Sequence, residues 1–231
     1  MKIGLFSDVH GNIEALELCL AMFRSRGVDR LIFLGDAIGY LPYSIECLEL
    51  IRASDIECIM GNHEAMLLDM LPLSAEKDEY YKLRSLRGAI SPELLEFIRE
   101  WPRQKELELG EKKMMLVHGN PADPLGGYTY PDSSLERFAD LDFDAVAMGQ
   151  THRPFVRHEY DKIFVNVGSV GLPRDQGDLF GCAILDTETF SFEILRQRFD
   201  TSGLSTNDAI HPEIRAVFSR NTSVPVGTIV S

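Results

Sequence analysis

The feature that most constrains this chain is an apolar run at its amino terminus that stops at an acid and an imidazole. Ile3, Leu5 and Phe6 are strand-forming residues, and Asp8 and His10 follow shortly after them. Alternate residues of an extended chain point the same way, so both polar side chains can reach one ion in front of the strand tip. The start of the chain therefore predicts a buried strand with two metal-type ligands at its carboxyl end.

The same pattern, an apolar run followed by glycine and polar side chains, returns four more times. The later runs at 31–34, 57–60, 114–117 and 145–148 lead into Gly35-Asp36, Gly61-Asn62-His63-Glu64, His118-Gly119-Asn120 and Gly149-Gln150-Thr151-His152. In an open, mostly parallel sheet, ligands gather beyond the carboxyl ends of the strands. A lone His or Asp at a strand end is usually an ordinary polar residue, but four of the six histidines lie in these motifs. The motifs therefore predict one shared site.

Size and composition are typical of one folded α/β domain, with 231 residues, 45% of them hydrophobic and 26% charged. No apolar run is long enough to span a bilayer, and the amino terminus is predicted to be a strand rather than a signal peptide. The four cysteines are far apart in sequence, which favours buried free thiols over disulfides or a zinc cluster. We therefore expect a cytoplasmic protein that does not act at a membrane.

The formal net charge of −13 restricts the partners of the chain. Affinity for nucleic acid depends largely on Lys and Arg that neutralise phosphates, so this charge argues against stable nucleic-acid binding. A small phosphorylated substrate stays compatible with it, because bound divalent cations would reverse the local field at the site.

The first third of the chain alternates strands and helices, the pattern of a parallel sheet. Asn12 is a suitable cap for a first helix, a second helix is predicted at 44–53, and strands are predicted at 31–34 and 56–60. Residues 65–105 break the alternation with Met- and Leu-rich helical stretches, so we expect a helical cap beside the site there.

Strands dominate the sequence from residue 107 onward. They are predicted at 107–109, 113–117, 145–148, 163–167, 182–186 and 190–199, with hairpin turns near 110–111 and 187–189 and a long loop at 121–134. This order of elements predicts an α/β fold of two sheets packed face to face with helices outside. The domain is expected to span 1–200, and 201–231 form an unassigned tail with one weak helix near 212–218.

Taken in order, the five motifs resemble those of the calcineurin-like metallophosphoesterases over about residues 1–200. Gly39-Tyr40 and the segments 120–124 and 165–171 are similar to the small prokaryotic branch with phosphodiesterase or phosphatase activity. The resemblance implies a four-layer α/β/β/α sandwich of two packed sheets, the metallo-dependent phosphatase-like fold.

Two other branches of that superfamily fit the sequence less well. The protein serine/threonine phosphatases carry an Arg before Gly-Asn-His-Glu, where this chain has Met60, and an Asp-Arg-Gly where it has Ile38-Gly39-Tyr40. The symmetrical dinucleoside tetraphosphatases are disfavoured by a similar argument, although a dinucleotide substrate stays open.

The resemblance implies a role for each motif residue. Asp8, His10 and His152 would hold one divalent metal ion, Asn62 and His118 a second, and Asp36 would bridge the two. His63 would act near the leaving group, with Glu64 orienting it. The mixed imidazole and carboxylate set suits Mn²⁺ best, with Fe²⁺, Co²⁺, Ni²⁺, Zn²⁺ or Mg²⁺ as alternatives.

Gln150 is the departure from the family pattern, which normally reads Gly-His-Thr-His. At this position the family's His completes the second metal site, and here an amide oxygen takes its place. An amide oxygen is a harder and weaker donor than imidazole, so the second site is expected to bind transition metals less tightly or to prefer Mn²⁺ or Mg²⁺.

Two functions follow from these observations. The first is a hydrolase that cleaves a small phosphodiester or phosphomonoester by in-line attack of a hydroxide held by two metal ions, as the resemblance implies. The alternative, motivated by Gln150, is a metal-binding scaffold or regulatory protein whose catalysis has lapsed. A nucleotide is one candidate substrate because Tyr40, Tyr128 and Tyr130 could stack on a base, although loop tyrosines are as often packing residues.

Overall fold

The computed structural model describes residues 1–222 and 224–230. In chain order, its strands are β1 (Lys2–Phe6), β2 (Arg30–Phe33), β3 (Glu57–Cys58), β4 (Gln104–Leu109), β5 (Lys112–Val117), β6 (Ala145–Met148), β7 (Phe155–Glu159), β8 (Lys162–Asn166), β9 (Leu179–Asp186), β10 (Ser191–Arg198) and β11 (Thr228–Val230). They form one sheet in the order β11-β10-β9-β1-β2-β3 and another in the order β4-β5-β6-β8-β7.

Parallel strands occupy the part of each sheet that leads to the motifs. In the first sheet β1, β2 and β3 run parallel, and in the second β5, β6 and β8 do. Antiparallel neighbours flank them, with β9 beside β1, β4 beside β5 and β7 beside β8. Both predicted hairpin turns are confirmed. β7 was not predicted, because only its first two residues are apolar.

The two sheets pack face to face through apolar side chains, which confirms the predicted α/β architecture. Ile3 and Leu5 of β1 lie in one fully buried cluster with Leu116, Ala147 and Val165 of the second sheet. Strands buried on both faces are nearly continuous apolar runs, which is why the apolar runs in the sequence identified them.

Helices cover the other face of the first sheet. They are α1 (Ile13–Ser25), α2 (Ser44–Ala53), α3 (Asn62–Leu67), α4 (Ala75–Tyr81), α5 (Leu83–Ala89), α6 (Pro92–Arg99), α7 (Ser202–Thr206) and α8 (Pro212–Arg215). Asn12 caps α1 as predicted, its Oδ1 accepting a hydrogen bond from the backbone N–H of Ala15 at 3.1 Å. Gly4 faces this helix layer, and a Cβ there would lie 3.0 Å from the ring of Phe23. In the described part of the chain, no helix is long and apolar enough to cross a bilayer.

The layer over the second sheet is thinner and contains little helix. Phe164 of β8 packs against Leu135 and Phe138, which belong to the long connection after β5 and to its 3-10 turn at Glu136–Phe138. The predicted loop at 121–134 is part of this connection. The outer layer is therefore built mainly by loop residues that are anchored by apolar side chains.

The residues after position 200 pack on the helical face of the first sheet. Leu204, Ile210, Ile214 and Phe218 are buried in the same cluster as the helices, and a 3-10 turn at Ala216–Ser219 follows α8. The weak helix predicted near 212–218 is thus present as two short pieces. β11 pairs in parallel with β10 and was not predicted, because three residues carry too little periodicity.

A buried ion pair joins β10 to the loop after β8. The guanidinium of Arg196, which is fully buried, donates to both carboxylate oxygens of Asp175 at 2.7 and 3.0 Å. It also donates to the backbone carbonyl oxygens of Phe180 and Leu179. Buried charges persist only when they are paired in this way.

We predict that Asp175→Asn lowers the free energy of unfolding by about 3–5 kcal/mol, because the guanidinium of Arg196 stays buried without its counter-charge. Asp178→Asn is the matched control, because Asp178 pairs with Arg198 at the surface and should contribute less than about 1 kcal/mol. Urea unfolding measures both variants. Equal losses in the two would contradict this account of the buried pair.

Candidate metal centre

Five strand ends meet at one place between the two sheets, as the motifs predicted. Asp8 and His10 follow β1, Asp36 follows β2, and Asn62 and His63 begin α3 a few residues after β3. The second sheet adds His118 after β5, with Gln150 and His152 after β6. All of these side chains are buried, and Asn62 and Gln150 are the most exposed of them at 7% and 6%. The centre therefore opens on the side of these two amides.

The backbone at the centre is held in an uncommon conformation. The residues with a left-handed φ there are Asp8 (57°), His10 (50°), Asp36 (63°), Gln150 (66°) and His152 (57°). For residues other than glycine, such sparsely populated conformations cost on the order of 1–3 kcal/mol each and persist only where the surroundings enforce them. They turn each side chain from its strand axis into the centre.

Three imidazoles are oriented by backbone carbonyl oxygens. The Nδ1 contacts are His10 with Ile38 at 3.1 Å, His118 with Leu34 at 2.8 Å and His152 with Leu172 at 2.6 Å. A carbonyl oxygen only accepts, so each Nδ1 carries the proton. Nε2 of each ring is therefore the nitrogen that faces the centre, the arrangement that metal-ligating histidines show.

Asp8, His10 and His152 form the first group of electron-pair donors. The Nε2 atoms of the two histidines are 3.0 Å apart, and Oδ1 of Asp8 lies 3.1 Å from Nε2 of His152. Oδ2 of Asp8 accepts from the backbone N–H of Gln150, whereas the buried Oδ1 has no hydrogen-bond partner among the described residues. Three electron-pair donors that face one another without a proton between them fit a cation.

The second group of donors surrounds His118. Its Nε2 lies 2.6 Å from Oε1 of Gln150, 3.1 Å from Oδ1 of Asn62 and 3.3 Å from Oδ2 of Asp36. The same Oδ2 is 3.8 Å from Nε2 of His10, so Asp36 lies between the two groups. Carboxylate, imidazole and amide oxygen are ligand types that divalent ions such as Mn²⁺ accept.

The charge of the centre also fits cations. Burial opposes the charged form of His118, but the carboxylates of Asp36 and Asp8 outweigh burial and raise its pKa to about 10. Burial first, and then the carboxylate of Asp36, raises the pKa of Glu64 to about 7. The shift of His118, and the part of the Glu64 shift that Asp36 causes, reflect the negative charge of the centre. Burial lowers the pKa of His152 to about 4, which leaves this imidazole neutral and able to bind a metal.

His63 lies at the edge of the donors, against an aromatic wall. Its ring centroid is 4.2 Å from that of Tyr81 and 5.0 Å from that of Tyr40, and its Nε2 is 3.8 Å from Oδ2 of Asp36. Burial lowers the pKa of His63 to about 3, so the imidazole is neutral. Its buried Nδ1 has no hydrogen-bond partner in the described residues. Tyr81 was missed by sequence reasoning because it lies in a charged helix with no motif.

Tyr40 packs on the centre instead of facing solvent. It is 8% exposed, and its ring contacts those of His10, His63 and Tyr81 at centroid distances of 4.7, 5.0 and 4.9 Å. The expectation that Tyr40 could stack on a nucleobase is therefore wrong. Tyr128 is 48% exposed and free for such a contact.

Glu64 has a different position from the one expected for it. Its carboxylate accepts hydrogen bonds from the backbone N–H groups of Asp36, Ala37 and Gly61 at 2.8 to 2.9 Å. Both oxygens are used in this way, so Glu64 joins the loops after β2 and β3 and does not orient the ring of His63. It acts on the centre by fixing the backbone around Asp36.

Side chains at the end of β8 and in the segment that follows it hold the remaining loops. Ser169 donates from its hydroxyl to the carbonyl oxygen of Asp8 at 2.7 Å. Asn166 donates to the carbonyl oxygen of Gly149 at 2.5 Å and to the hydroxyl of Thr151 at 3.1 Å. Residues 165–171, which are similar to the family, therefore hold the loops of the centre in place. The sequence alone did not reveal this role.

Comparison with known proteins identifies the family. The calcineurin-like phosphoesterase superfamily domain matches residues 1–190. This chain belongs to that superfamily. An uncharacterized protein of Methanocaldococcus jannaschii is 31% identical over 221 residues, covering 86% of this chain and 88% of that protein. The phosphodiesterase YfcE of Escherichia coli is 24% identical over 195 residues, covering 83% of this chain and 90% of that protein.

Solved structures agree on the fold of this calcineurin-like phosphoesterase. A metallophosphoesterase from Sphaerobacter thermophilus superposes with a TM-score of 0.80 at 23% identity, over 96% of this chain and 99% of that one. The superfamily is metal-dependent, and the clustered Asp and His residues could hold metal ions.

We predict that metal binding by this phosphoesterase releases about one proton per chain near neutral pH, because Nε2 of His118 must lose its proton to become a ligand. With a pKa of about 10, His118 is charged at pH 7, so affinity should rise with pH and level off above about 10. Titration calorimetry with Mn²⁺ in buffers of different ionisation enthalpy counts the proton. His118→Asn should abolish the release, and a pH-independent affinity in the native protein would contradict the prediction.

Proposed function

We propose that this protein is a dinuclear metal-dependent phosphoesterase that hydrolyses a small phosphodiester or phosphomonoester. One observation carries the proposal. The Nε2 atoms of three imidazoles converge with Oδ1 of Asp8 and Oδ2 of Asp36, and this arrangement is unfavourable unless positive charge lies between them. The phosphodiesterase activity named for the E. coli relative supports the reaction class.

In this proposal, Asp8, His10 and His152 hold one ion, Asn62, His118 and Gln150 hold another, and Asp36 is shared. When bound, such a pair of ions lowers the pKa of an attacking water and offsets the negative charge of the phosphoryl group. The buried carbonyl contacts fix the imidazoles, so the chain is preorganised for this chemistry. Mn²⁺ is the ion we propose on the basis of this donor set.

His63 would act on the leaving group. It is neutral at physiological pH, so it has one N–H to donate to the departing oxygen of the ester. The tyrosine wall restricts its ring, which would keep that N–H aimed at the reacting atoms.

The nucleotide hypothesis now rests on Tyr128 and Tyr130. Their rings stack at a centroid distance of 6.0 Å, and both are exposed. Base stacking on such a platform contributes about 1–3 kcal/mol per base. A screen of cyclic nucleotides, dinucleotides and nucleoside phosphates tests it, and a simple aryl phosphate that outcompetes all of them would contradict it.

Turnover by the His63→Ala variant separates the enzyme from a scaffold with lapsed catalysis. We predict that the Mn²⁺-loaded native protein cleaves aryl phosphate esters and that His63→Ala lowers kcat by about 10²–10³-fold, because loss of one hydrogen-bond donor to a developing oxyanion costs that much. Metal content should stay unchanged, because His63 is not a ligand in this proposal. A native protein with both ions bound and no turnover on monoesters or diesters would refute the hydrolase.

Gln150→His tests the one departure from the family pattern. We predict that the native protein binds two ions in separate phases and that Gln150→His merges them and raises activity at limiting metal, because imidazole is the stronger donor. Asn62→Ala should instead separate the phases further. Titration calorimetry with Mn²⁺ distinguishes the outcomes, and one equally tight phase in both native protein and variant would show that the amide is a full ligand.

A further inference from the structure

Arg174 is a cation beside the centre that the motifs do not include. Its backbone N–H donates to the carbonyl oxygen of His152 at 3.2 Å, and its Nη2 donates to the hydroxyl of Tyr40 at 3.3 Å. The ring of that tyrosine contacts His10. The guanidinium therefore lies one side chain away from the first group of donors.

The charge of Arg174 lies close to the centre. Its Nη2 lies 3.3 Å from the hydroxyl of Tyr40, whose ring contacts both His10 and His63. No carboxylate lies within 4.0 Å of its nitrogens among residues 1–222 and 224–230. A half-buried guanidinium without a carboxylate partner, next to a centre that holds divalent cations, is repelled by them unless an anion lies between.

The loop that carries Arg174 is fixed on both sides. Before it, the carbonyl oxygen of Leu172 accepts from Nδ1 of His152 at 2.6 Å. After it, Asp175 is bound by the buried guanidinium of Arg196. Both anchors restrict the position of Arg174. A binding group that is already positioned loses less conformational entropy when its N–H donors contact a ligand.

We propose that Arg174 binds the non-bridging oxygens of the substrate phosphoryl group and selects phosphomonoesters over phosphodiesters. This inference rests on the proposed function. The hydroxyl of Tyr40 occupies one N–H of the guanidinium, and other N–H groups stay available for a planar, paired contact with two oxygens. A monoester dianion has one more charged oxygen than a diester monoanion. The cation therefore favours the monoester beyond what metal ions alone provide.

The first test compares two substrates in the Mn²⁺-loaded protein, p-nitrophenyl phosphate and bis(p-nitrophenyl) phosphate. We predict that Arg174→Gln lowers kcat/KM for the monoester by about 10–100-fold, mainly through KM, and for the diester by less than about threefold, since a hydrogen bond to a charged group contributes about 1.5–3 kcal/mol. Arg99→Gln is the matched control, because it removes the same charge from an exposed pair on α6. It should change neither value.

Arg174→Lys keeps the charge and removes the planar fork, so its monoester KM should fall between those of the native protein and Arg174→Gln. If Arg174→Gln does not fold, the lysine variant gives the same test, with a rise in KM confined to the monoester. Equal losses on both substrates, or no loss on either, would overturn the selection of monoesters.

Binding of inorganic phosphate separates this inference from the proposed function. Calorimetry on the Mn²⁺-loaded protein needs no turnover, and we predict about tenfold weaker phosphate binding in Arg174→Gln with unchanged metal stoichiometry. If the native protein hydrolyses neither substrate but this loss is seen, the phosphoesterase fails and the phosphate contact stands. Unchanged phosphate affinity would overturn the role of Arg174 whatever the activity.

Discussion

The structure depends on holding in one place several electron-pair donors that repel one another. Oδ1 of Asp8, Oδ2 of Asp36 and the Nε2 atoms of three imidazoles share one buried volume, with separations of 3.0 to 4.0 Å. In a low-dielectric interior such a cluster is costly unless positive charge neutralises it. The pKa of His118 is raised for the same reason, because the nearby carboxylates stabilise a proton on this imidazole. Cation binding and the stability of the centre are therefore two aspects of one interaction.

The donors of the centre are held in position by contacts with backbone groups more than by contacts with other side chains. Three carbonyl oxygens from two loops set the imidazole tautomers, and Glu64 binds three backbone N–H groups that define the turn at Asp36. Two packed sheets bring the loops together from opposite sides, so neither sheet alone contains the site. Left-handed residues such as Asp8 and Gln150 are the local strain that this convergence maintains.

The sequence predicted what short-range patterns encode. The strand that ends at Asp8 and the shared site follow from apolar runs and their polar ends, and the two packed sheets follow from the order of elements. The role of Glu64 was not predictable, because its partners around Asp36 lie 27 and 28 residues away. Tyr81 and Arg174 carry no motif, and only tertiary contacts bring them to the centre. β11 is too short for a periodic signal.

The central claim is that the converging lone pairs form one site for two ions joined by Asp36. Electron paramagnetic resonance of the protein loaded with Mn²⁺ tests it most directly, because two ions that share a ligand are magnetically coupled. The account predicts two ions per chain and a coupled spectrum that Asp36→Asn converts to that of isolated ions. A native protein that gives only the spectrum of isolated Mn²⁺ at full loading would contradict it.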